Sequence, residues 1–61
     1  MKIRELIKMV EADGWVFLNQ KGSHRQFKHR TKPGKVTIPV HGMNDDVPHF
    51  ILRSVKKQAG L

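Results

Sequence analysis

Apolar side chains at Ile3, Leu6, Ile7 and Val10 recur at i, i+3, i+4 and i+7, with Lys2, Arg4, Glu5, Lys8 and Glu11 at the remaining positions. This is one stripe of a 3.6-residue period and predicts a helix over 2–13. Gly14 follows as a left-handed stop. Trp15-Val16-Phe17-Leu18 is a continuous run of strand-favouring types, so 15–20 reads as a strand. Lys21-Gly22 signals a turn, and the chain returns as a second strand from Ser23 to His29 or Arg30. Thr31-Lys32-Pro33-Gly34-Lys35 is a second turn, and Val36-Thr37-Ile38-Pro39-Val40 a third strand by its alternation. Pro39 cannot donate to a ladder, which places that strand at an edge or ends it there. After the loop 41–46, Asp45 or Asp46 is expected to cap a second helix, with Pro48 in its first turn. Val47, Ile51, Leu52, Val55 and Ala59 form its apolar stripe, and Gly60 closes it.

The predicted order is α-β-β-β-α in one domain spanning 1–61. The class is α+β: a three-stranded antiparallel meander with both helices on one face and the other face open. Double-stranded-RNA-binding domains share this arrangement, although shape alone assigns no function. Alternation along the second strand sets the faces. Phe27 is its only large apolar residue and belongs with the helices. His24, Gln26 and Lys28 then point to the open face. A two-residue Lys21-Gly22 turn would set Asn19 opposite His24, Phe17 opposite Gln26 and Val16 opposite Phe27, and a turn one residue longer would flip the first strand.

Composition narrows the possibilities. A chain of 61 residues buries about 60% of the surface it exposes when unfolded, which leaves no room for a cofactor domain or a deep pocket. The absence of cysteine removes disulfides and thiolate zinc sites. The four histidines show no metal-ligand spacing, so no metal and no other cofactor is expected. No apolar run reaches the roughly 18 residues of a spanning helix, and residues 1–10 lack a signal-peptide core, so an intracellular, non-membrane protein is the expectation. Twelve Lys and Arg against five Asp and Glu give a net charge of +7. So strong a bias on so small a surface favours a polyanion, nucleic acid before acidic protein.

The densest chemistry lies in Lys21-Gly22-Ser23-His24-Arg25-Gln26-Phe27-Lys28-His29. Imidazole is the side chain that takes or gives a proton near neutral pH. Cations beside it hold a phosphate and offset the charge that builds during transfer. RNA supplies its own nucleophile in the 2′-hydroxyl, so a histidine at a bound phosphodiester can cleave RNA without metal. Lys21, Gly22, Ser23, Arg25 and Lys28 are the candidate phosphate holders, and His24 is the candidate catalytic residue. Lys28, Lys21, Arg25 or a water could supply the second proton-transfer group.

The segment Gly22-Ser23-His24-Arg25-Gln26-Phe27-Lys28-His29 resembles the HicA toxin family, the small mRNA interferases of bacterial toxin–antitoxin pairs. Asp13-Gly14-Trp15 is similar to the entry to that family's first strand, Pro33-Gly34-Lys35-Val36-Thr37-Ile38-Pro39 to its third strand, and Lys57-Gln58-Ala59-Gly60-Leu61 to its ending. The resemblance implies the double-stranded-RNA-binding-like fold and metal-independent endoribonucleolytic cleavage of mRNA, with His24 essential. It also implies a HicB-type antitoxin that covers the active face, the toxin being a monomer or part of a toxin–antitoxin hetero-oligomer. The chain departs from the pattern after Pro48, where His49-Phe50-Ile51 stands in place of a Gly-Thr pair and leaves Phe50 partly exposed. The alternative reading is a non-catalytic RNA-binding module of the same fold.

Overall fold

The computed structural model describes residues 1–61. Its elements are α1 (Ile3–Ala12), β1 (Trp15–Lys21), β2 (His24–His29), β3 (Lys35–Pro39) and α2 (His49–Ala59). The strands form one antiparallel sheet in the order β1-β2-β3, as the alternating pattern predicts.

The α1 stripe is buried in full, and it meets Trp15, Phe27, Val36, Ile38, Val55 and Ala59 in a single ten-residue core. Met9, Val40, Val47, Ile51 and Leu52 pack around it. The inward residues of β2 and β3 are the ones alternation selects, and no polar or charged residue is fully buried.

The β1–β2 hairpin differs from expectation in its register. The turn is Gly22-Ser23, so Lys21 pairs with His24, Gln20 with Arg25 and Asn19 with Gln26. Gly22 takes φ +58° at the first central position, the glycine-dependent pattern of a two-residue hairpin turn. The register then shifts by one at Leu18, and Phe17 pairs with Phe27, Val16 with Lys28 and Trp15 with His29. Val16 is therefore not opposite Phe27, Phe17 is not opposite Gln26, and Asn19 is not opposite His24. The physical reason lies in Trp15. Without the extra residue, the turn would send Trp15 to the open face and Val16 inward. The bulge reverses that choice and buries the larger ring to 1% exposure.

The loop before α2 also departs from expectation. Asp45 and Asp46 do not cap α2, whose N-cap is Pro48, with Ile51 and Leu52 donating to its carbonyl. They serve α1 instead. Ile3 N–H donates to Asp45 O at 2.9 Å and Arg4 N–H to Met43 O at 3.0 Å, which satisfies two of the donors a helix start leaves open. Lys2 Nζ pairs with Asp46 at 2.8 Å, and Lys2 N–H donates to Glu5 Oε1 at 2.6 Å. At the other end of the molecule, Lys32 ties the two helix C-termini together. Its ammonium pairs with Asp13 and donates to Ala59 O at 3.1 Å, where the helix dipole favours a cation. No helix is long and apolar enough to cross a membrane.

Candidate active site

The observed register arranges the open face of the sheet in three rows. The first holds Lys21, His24 and Pro39, the second Asn19, Gln26 and Thr37, and the third Val16, Lys28 and Lys35. Alternate rows on one strand lie about 7 Å apart. His24 stands at the turn end of this surface, exposed, and its ring takes part in no side-chain hydrogen bond. Its neighbours across the ladder are Lys21 on one side and Pro39 on the other.

The turn is anchored beneath the histidine. Ser23 O accepts from Val40 N–H at 2.6 Å, and Gln20 Nε2 donates to Gly22 O at 3.0 Å. The first bond joins the turn to the end of β3 and to the loop that starts at His41. The space above Gly22 is open to 4 Å, so its backbone can be approached by a bulky anion. Lys21, Gly22 and Ser23 thus stand around His24, and Lys28 lies on the same face two rows away.

Arg25 stands apart from this group. It shares the inward-pointing side of β2 with Phe27 and His29, as alternation requires. Its Nε donates to Gln20 Oε1 at 2.9 Å, and its guanidinium lies 5.9 Å from the centre of the Phe17 ring. Lys35, which pairs with Lys28, takes a place on the open face that a reading confined to the hairpin did not assign. The third strand's alternation was the signal that could have found it, since Val36 and Ile38 inward place Lys35 outward.

The second histidine of the hairpin is structural. His29 Nδ1 accepts from Thr31 N–H and Lys32 N–H, both at 3.0 Å, and Nε2 lies 2.7 Å from Asp13 O. With Nδ1 accepting, Nε2 carries the proton and donates. The ring meets Trp15 edge-on at 5.1 Å between centres. Asp13 is held below the usual carboxylate range, chiefly by its hydrogen bond from Lys32.

His24 lines neither of two concave regions. One, of about 760 Å³, lies at the far end of the hairpin against Gly14, Val16, Lys28 and Arg30. The other, of about 300 Å³, lies between Pro39, His41, Asp46 and Phe50. The arrangement at His24 suits a long anionic chain laid across a surface better than a small molecule held in a cavity.

A family model described as the HicA toxin of bacterial toxin–antitoxin pairs matches residues 3–61. No curated protein matches the chain.

Proposed function

The chain belongs to the HicA toxin family, and on that premise we propose that it is an endoribonuclease that cleaves mRNA with His24 and is restrained by a HicB-type antitoxin. One observation carries the proposal. His24 is the histidine left exposed and unbonded on a cationic, open sheet face, directly across the ladder from Lys21.

The RNA backbone lies over the first row, with a phosphate near the Gly22-Ser23 turn. The 2′-hydroxyl attacks the adjacent phosphorus. The O2′–P bond forms, the P–O5′ bond breaks, one proton leaves O2′ and one joins O5′. His24 performs one of these two transfers. Lys21 stabilises the phosphoryl oxygens as charge builds on them. Lys28, two rows away, holds the neighbouring backbone, and Arg25 contributes only to an RNA that wraps past the β1 edge.

The test is cleavage of a long single-stranded RNA by purified toxin in EDTA. The parent is expected to produce fragments, and His24→Ala to produce none while binding the same RNA within about threefold. A fully active His24→Ala protein sinks the mechanism, and binding without cleavage by the parent supports the RNA-binding module instead.

A further inference from the structure

The two edges of the sheet are treated differently. On β3, Pro39 has no N–H to offer, and Thr37 N–H donates to Gln58 Oε1 of α2 at 2.9 Å. The Gln58 amide is itself held by donating to Ser54 Oγ at 3.0 Å. That edge is closed. β1 is the longest strand, at seven residues. Apart from its ladder with β2, none of its N–H or C=O groups bonds to any other part of the chain. Proteins blunt such edges because they template a further strand. Here only the bulge at Leu18 and Lys21 at the end intervene, and they leave Trp15–Phe17 unobstructed.

The side chains flanking this segment describe what would fit. Val16 is 53% exposed and Phe17 56% exposed, on opposite faces of the same edge. Each has a cation inboard of it: Lys28 pairs with Val16, and the Arg25 guanidinium lies over Phe17. An added strand would place alternate side chains against these two sites. Apolar and acidic residues are complementary to both. A second copy of the chain is disfavoured, since it would bring two surfaces of net charge +7 together.

We propose that β1 is a docking edge for the antitoxin: an extended, acidic segment of that partner pairs with Trp15–Phe17 as a fourth strand. The proposal rests on the toxin–antitoxin reading of the chain. It adds to that reading a contact point on the strand edge, with Phe17 on the face away from His24 and Val16 on the open face two rows from it. The partner is then held by main-chain hydrogen bonds independently of whatever covers the histidine.

The probe is the protein encoded by the reading frame adjoining this one, purified and titrated against the toxin. Phe17→Thr is expected to weaken binding about tenfold and Phe17→Asp more. Both variants should keep the parent's RNA cleavage and melt within a few degrees of it. Hydrogen exchange on the complex should show new protection in Trp15–Phe17 amides. Unchanged affinity in both variants, or no protection of β1, overturns the docking edge while leaving the ribonuclease reading untouched. New β1 protection in the toxin alone at high concentration also overturns it, in favour of self-pairing. Failure of the parent to bind overturns the partner itself, and RNA cleavage by the same preparation reports separately on the enzyme.

Discussion

Two histidines five positions apart have opposite surroundings. His24 is exposed and free of side-chain hydrogen bonds, whereas His29 closes the corner between Asp13, Thr31, Lys32 and Trp15. His29→Ala removes an acceptor for two backbone donors and an aromatic contact. It is expected to cost about 2 kcal/mol and to lower Tm by roughly 10 °C. His24→Ala should stay within about 0.5 kcal/mol of the parent. Thermal unfolding of the two variants side by side checks the difference. Gly14 belongs to the same corner. It sits at φ +100°, and a Cβ there would meet His29 Nε2 at 2.7 Å. Gly14→Ala therefore combines backbone strain with displacement of the ring, and an expected loss of about 1–3 kcal/mol is readable in a urea titration. Asn19 is the opposite case. Its Oδ1 is buried with no partner, a burial that costs about 1–3 kcal/mol. Asn19→Thr is expected to raise Tm, and an unchanged or lower Tm refutes that cost.

At the scale of elements, ion pairs join parts of the chain that are distant in sequence. Asp13 with Lys32 ties the end of α1 to the β2–β3 connection, and Asp46 with Lys2 ties the loop before α2 to the start of α1. The Glu5 carboxylate, accepting from Lys2 N–H, caps α1. All three carboxyls titrate below their ordinary values, chiefly through those hydrogen bonds. The ordinary values are 3.8 for the aspartates and 4.5 for the glutamate. In that range the unfolded chain binds more protons than the folded one. The stabilisation is complete above the ordinary values and is lost as pH falls through the lower, folded ones. Urea midpoints are thus expected to be level above about pH 5 and to decline below about pH 4. Asp13→Asn should flatten part of that decline, and an unchanged acid limb in the variant would exclude Asp13 as a contributor.

For the whole molecule, the proposed RNA binding makes a prediction that rests on charge. Lys21, Lys28 and Lys35 share the open face, and neutralising three phosphates on a single strand gives a slope of log K against log salt of about −2. Lys28→Ala is expected to make that slope shallower by about 0.7. Phe50, 65% exposed on α2, carries no charge, and its replacement by Ala should leave the slope alone.

The element order, the core stripe of α1, the inward Phe27 and the outward His24 were legible in the chain, because each depends on a local period of 3.6 or 2 residues. The HicA membership was legible in the same way, through motifs contiguous in sequence. The hairpin register was not. It turned on whether burying Trp15 or keeping an unbulged ladder contributed more, and only packing against the helices settles that balance. Nor could Asp45 and Asp46 be assigned locally, since a capping residue beside one helix is free to serve another once the chain brings that helix near. The separation of Arg25 from His24 follows from alternation alone, while the use of Arg25 over Phe17 needed the bulge. The sequence by itself determined which side chains of α1, β2 and β3 face the core, and with them the outward place of His24, because those choices are made within single elements. Only the tertiary structure decided what stands across from His24 and which edge of the sheet is left open, because those depend on contacts between elements that no local pattern encodes.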